Sequence, residues 1–153
     1  MLDCAELGCS NEFMRILGID PGTHIMGYGL LEVNLSNNSD DVRFIKAGAV
    51  YLKKPTLPER LFEIGIFLQE FMQEWKPEAL SLEKIFVGKN VDSAFKLGHA
   101  RGVIMMEAIR AHAEVFEYAN RAVKKNITGT GAADKVQLAT TLKMLLALKT
   151  LPE

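Results

Sequence analysis

The chain has 153 residues, 48% of them hydrophobic and 24% charged, with 18 Lys and Arg against 19 Asp and Glu and a net charge of −1. That balance suits a single soluble domain with a sizeable core, and no apolar stretch approaches the ~18 residues that a membrane span requires. The near-neutral total hides a division: residues 1–83 carry 7 basic against 13 acidic side chains, and residues 84–143 carry 10 against 5.

Residues 1–13 show no sustained period and are read as an N-terminal extension without regular structure, ahead of a domain spanning 14–153. With Asp3, Glu6 and Glu12 and no basic residue before Arg15, they lack the start of a signal peptide, so a cytoplasmic location without membrane association is expected. Cys4 and Cys9 are the only cysteines, too few for a zinc site or a disulfide framework. Met14 to Asp20 then reads as a strand, with Leu17 and Ile19 buried and Asp20 at its C-terminal end. Pro21-Gly22 breaks it in a tight turn. Pro21 presets φ at the second position, and Gly22 is expected to supply a positive φ at the third.

Gly27 to Val33 reads as a strand returning beside the first. Asn34 to Asp41 is a polar turn cluster, and Phe44 to Val50 a third strand, so the chain opens with three antiparallel strands. Leu57-Pro58-Glu59 starts a helix whose apolar face is Leu61, Ile64, Leu68, Phe71, Met72 and Trp75, and Pro77 stops it. Ala79 to Glu83 is a short fourth strand. The helix before it is a crossover, which places this strand parallel to the first. After a loop from Lys84 to Val91, a helix over about 92–111 carries a packing stripe of Ala94, Leu97, Gly98, Arg101, Ile104, Met105, Ala108 and Ile109. Glu114 to Tyr118 is a fifth strand, Asn120 to Thr128 a basic connection, and residues 132–148 a last helix. The order βββαβαβα predicts an α/β fold, a mixed five-stranded sheet flanked by helices.

Two carboxylates, Asp20 and Glu83, thus end strands that this order sets side by side. Parallel neighbours lie ~4.8 Å apart, close enough for both to share divalent cations. Paired metals serve phosphodiester hydrolysis by stabilising the attacking and leaving oxygens. Asp20 alone could equally be a cap for its turn. The basic second half favours a polyanion such as nucleic acid.

The residues also carry a resemblance. Gly18-Ile19-Asp20-Pro21-Gly22-Thr23 with Gly27-Tyr28-Gly29 resembles the opening of the RuvC family of Holliday junction resolvases. The run from Glu83 to Ala94 and Lys96-Leu97-Gly98-His99-Ala100-Arg101-Gly102 resemble its second block. Val115 to Ala119, Val123-Lys124-Lys125 and Ala133-Asp134-Lys135 are similar to the blocks that follow. The resemblance runs from Met14 to about Leu148. It implies an RNase H-like fold, a homodimer formed through the 92–111 helix, and Mg²⁺- or Mn²⁺-dependent symmetric nicking of four-way DNA junctions in recombination and repair, alongside a branch-migration helicase complex.

By that resemblance Asp20 and Glu83 are metal ligands and catalytic residues. Lys135 is catalytic and, with Phe86, Lys89 and Lys124, contacts DNA; the Phe86 ring stacks on a base near the crossover. His24 is read as a turn residue, and of Met105 and Met106 one fills the core while the other meets a partner chain. The family ends in a helix with two further aspartates in an Asp-Ala-x-Asp-Ala-Leu-Ala pattern. No such pattern precedes Glu153, so a natural chain that continues into that helix is expected. A junction-binding form without cleavage is the alternative reading. A third is a fragment of an actin-like ATPase, which shares a Gly-Ile-Asp-x-Gly-Thr turn.

Overall fold

Successive side chains of a strand alternate between its faces, and in the first strand this sends Leu17 and Ile19 to one side and Gly18 and Asp20 to the other. The computed structural model describes residues 13–36, 41–84 and 91–150. Its elements are β1 (Phe13–Asp20), β2 (Ile25–Asn34), β3 (Val42–Tyr51), α1 (Leu57–Trp75), β4 (Ala79–Glu83), α2 (Val91–Arg110), β5 (Glu114–Tyr118), α3 (Asn120–Thr128) and α4 (Lys135–Leu145). The sheet order is β3-β2-β1-β4-β5. β1, β2 and β3 are antiparallel neighbours, β4 runs parallel to β1, and β5 runs parallel to β4. The predicted mixed five-stranded sheet is therefore present, with its crossover helix.

One face of the sheet carries the core. Leu17, Ile19, Met26, Leu30, Leu80 and Leu82 are buried against Ile64, Leu68, Phe71 and Met72 of α1 and Ala100, Ile104 and Ala108 of α2. α1 begins with a capping box in which the Thr56 side chain and Glu59 satisfy each other's backbone donors, reinforced by Pro58 in the first turn. It ends where Lys76 takes a left-handed φ of 46° just before Pro77. The other face has small residues, Gly18, Gly27, Gly29, Ala47 and Ser81, and lies open beneath α3 and α4.

Five expectations change. Asn120 to Thr128 is a helix rather than a connection, making the order βββαβαβαα. Its apolar set is only Ala122, Val123 and Ile127, too short a pattern to announce a period. Val123 and Ile127, four apart, still border one groove on the open face of the sheet. The last helix is shorter than predicted, because Asp134 caps it with Gln137 and excludes Ala132 and Ala133. In α2 the inward residues are Ala100, Arg101, Ile104, Glu107 and Ala108, while Ile109 is exposed, so the stripe is narrower than read.

The fourth concerns Gly22, which does not adopt a positive φ. Glycine is required there by proximity: a Cβ would lie 1.8 Å from the Ile25 carbonyl oxygen. Phe13, assigned to the extension, already belongs to β1.

Candidate active site

In the β1–β4 ladder Ile19 pairs with Leu82, so the next residue of each strand is a carboxylate, Asp20 and Glu83. Ile19 and Leu82 are buried in the core. By alternation Asp20 and Glu83 emerge on the opposite face, and both line one cleft of about 560 Å³. Its floor is the glycine-rich part of β1 and β2, and its wall includes Tyr118, Asn120, Val123 and Lys124 with Leu138 and Leu142 of α4. Gly27 stands opposite Asp20 in the β1–β2 register, and a Cβ there would touch the Asp20 Cβ at 3.4 Å. A glycine at this position leaves the carboxylate its room.

The carboxyl of Asp20 titrates above its ordinary value. Burial is the largest cause, the negative charge of Glu83 the second, and Lys135 pulls in the opposite direction. The two acids therefore feel each other across the strand ends, and Lys135 feels Asp20 from the start of α4. Like charges held together in a partly desolvated cleft repel, and a divalent cation relieves that repulsion. The donors are hard carboxylate oxygens, which suit Mg²⁺ or Mn²⁺, ions commonly held by one or two carboxylates plus water and substrate phosphate. The residues present thus fit one such ion. Among the described residues no group of three or more His, Cys, Asp or Glu is gathered.

The sequence-predicted site residues divide cleanly. Asp20, Glu83 and Lys124 meet in the cleft, and Lys135 lies within electrostatic range of it. Phe86 and Lys89 fall outside the described residues. His24 is a turn residue: its carbonyl accepts from the Leu52 N–H at 2.8 Å and its ring approaches the Thr23 hydroxyl at 3.4 Å. Met105 packs on the core, the place expected for one of these two, and Met106 is exposed.

Two contributions escaped the sequence reading. Tyr118 is the β5 residue paired with Glu83, a placement that follows once β5 is set beside β4. Arg101 was counted as a packing residue. Its guanidinium in fact donates to the main-chain carbonyl of Glu83 and to the carboxylate of Glu117. An arginine within an otherwise apolar stripe was the signal available.

Comparison with known proteins agrees with this geometry. The family model described as crossover junction endodeoxyribonuclease RuvC matches residues 16–153. The RuvC of Bdellovibrio bacteriovorus is 47% identical over 137 residues, covering 89% of this chain and 79% of that protein. The RuvC of Aliivibrio salmonicida is 38% identical over 138 residues, covering 90% of this chain and 78% of its own. Among solved structures, Thermus thermophilus RuvC in complex with a Holliday junction substrate superposes with a TM-score of 0.82 at 29% identity, over 92% of this chain and 84% of that one. Sequence, fold and the two strand-end acids lead to one conclusion: this chain belongs to the RuvC family of crossover junction endodeoxyribonucleases.

Proposed function

We propose that this protein resolves Holliday junctions by divalent-metal-dependent hydrolysis of phosphodiester bonds. The observation that carries the reading is the pair Asp20 and Glu83, brought from adjacent parallel strands into one cleft flanked by Lys124. The relatives named above are crossover junction endodeoxyribonucleases, and the Thermus protein is described with a Holliday junction bound.

Asp20 and Glu83 hold the ion, Mg²⁺ or Mn²⁺, which when bound supplies Lewis-acid polarisation of the scissile phosphodiester. The chain's own residues do the rest. The two carboxylates stand on strand ends, Asp20 paired with Gly27 of β2 and Glu83 with Tyr118 of β5, so their separation does not depend on a mobile loop. Lys124 stands in the cleft wall, and Lys135 lies close enough to act on the Asp20 charge. Both cations are placed to offset negative charge that builds on the phosphate. Phosphate contacts from the basic second half, Lys89 among them, position the DNA without reading its bases.

Two symmetric strands require two symmetric sites, and the working unit is a twofold homodimer through α2. Phe95 is 66% and Met106 48% exposed on that helix, and both border an apolar groove with Leu61 and Val103. A junction-binding form that does not cleave is the second reading, favoured by a donor set of only two carboxylates among the described residues.

The test is a labelled four-way junction incubated with the full chain and Mg²⁺, beside Asp20→Asn and Glu83→Gln. Paired nicks by the parent, with both variants binding the junction but leaving it intact, support the resolvase reading. Undiminished cleavage by either variant would reject the site. Binding without cleavage by the parent itself would select the second reading.

A further inference from the structure

Two charged side chains are buried on the inward face of α2: Arg101, 8% exposed, and Glu107, 4% exposed. Glu107 is answered within its own helix by Arg110 at 3.1 Å. Arg101 is answered from elsewhere, by the backbone carbonyl of Glu83 at the end of β4 and the side chain of Glu117 in β5. A buried guanidinium is expensive to desolvate, and an apolar residue of similar size could fill the same space. Packing is therefore a poor reason for an arginine here.

What it grips is more informative. β4 has only five residues, and Glu83 is the last of them. The chain leaves the strand there, with the Lys84 N–H donating to the Tyr118 carbonyl at 2.8 Å. The Glu83 side chain faces the cleft, whereas Arg101 reaches the same residue from the helical side of the sheet. Glu117 lies one residue before Tyr118, so a single guanidinium ties α2, β4 and β5 together directly behind the acid. The planar fork of arginine serves two acceptors at fixed angles, which the point charge of a lysine does not.

We propose that Arg101, oriented by Glu117, is a positioning residue that sets the Glu83 carboxylate against Asp20 for metal binding. This rests on the resolvase reading above, in which Glu83 is a metal ligand. Groups that orient ligating carboxylates are typically worth 10–100-fold in metal affinity. Arg101 is not among the residues lining the cleft and bonds to the Glu83 carbonyl from the helical side, so its loss acts through Glu83. The junction-binding surface is left in place.

The experiment compares the parent, Arg101→Lys, Glu117→Gln and Asp20→Asn by four readouts. These are Mn²⁺ binding to the DNA-free protein by calorimetry, thermal unfolding without metal, junction affinity in EDTA, and cleavage rate against Mg²⁺ concentration. Arg101→Lys is expected to weaken Mn²⁺ binding about tenfold or more and to shift the Mg²⁺ requirement by a like factor. Its junction affinity should stay within about threefold of the parent, and saturating Mg²⁺ should restore much of the rate. Glu117→Gln should show a smaller shift of the same kind; it lies at the rim of the fold, so it keeps the question answerable if the arginine variant does not fold. Unchanged Mn²⁺ affinity and Mg²⁺ dependence in both variants, with a parent that cleaves, would overturn the positioning role alone. A parent that neither binds Mn²⁺ nor cleaves would overturn the resolvase reading and this inference with it.

Discussion

Gly22→Ala tests how the active-site turn is held. The added methyl would stand 1.8 Å from the Ile25 carbonyl oxygen and 3.0 Å from the Ile25 carbonyl carbon. A close carbon–oxygen approach is about 3.3–3.6 Å, so the oxygen must retreat by roughly 1.5 Å. It cannot do so freely, because Ile25 opens β2 opposite Tyr51 of β3, and the neighbouring His24 carbonyl accepts from Leu52 at 2.8 Å. Overpacking costs about 1–3 kcal/mol and loss of that hydrogen bond about 1 kcal/mol, for a total of about 2–4 kcal/mol. Domains are stable by only ~5–15 kcal/mol. At about 2–4 °C per kcal/mol for a chain of this size, Tm should fall by roughly 4–16 °C.

Activity should suffer beyond the loss of folded protein. Asp20 is two residues before Gly22, and a displacement of ~1 Å at a reacting group costs on the order of 100-fold. Melting of the metal-free protein by circular dichroism, and single-turnover junction cleavage well below Tm, measure the two effects. A variant that melts within about 1 °C of the parent and cleaves at the parental rate would refute the proximity argument.

Replacing Asp20 by Asn should raise the Tm of the metal-free protein at neutral pH. The native carboxyl titrates above its ordinary value, so the stability it contributes is complete below the unfolded pKa and is lost as pH rises through the native one. The advantage of the variant should accordingly vanish toward about pH 3, and a lower Tm than the parent at pH 7 would contradict the raised carboxyl. Thr56→Ala removes the α1 capping box and should cost about 1 kcal/mol in chemical denaturation. Glu59, held below its ordinary pKa chiefly by the Thr56 hydroxyl, would return upward, so the gap between parent and variant should narrow in acid; a gap constant with pH would assign the loss to something else. Met106→Asp places a charge on the exposed apolar face of α2 and should convert a dimer to monomer in sedimentation at micromolar concentration. A parent that is already monomeric there would remove α2 as the interface.

Local sequence was sufficient for the elements whose causes are local. Alternation in β1 and β2, the crossover after β3, and the Leu57-Pro58-Glu59 start of α1 each follow from side-chain period or backbone restriction within a few residues. The acids at the ends of β1 and β4 were legible for the same reason, since parallel pairing follows from the crossover and alternation sends both to one face. Tertiary structure decided the rest. α3 has too few apolar residues for a pattern, and the grooved face of the sheet gives Val123 and Ile127 something to border. Gly22 is glycine because of an oxygen three residues ahead in a returning strand, a proximity that turn statistics rendered as a dihedral preference. Arg101 sits 18 residues from Glu83 and 16 from Glu117. Only the packing of α2 across β4 and β5 brings the three together, because a buried charge takes its meaning from partners that the chain order does not name.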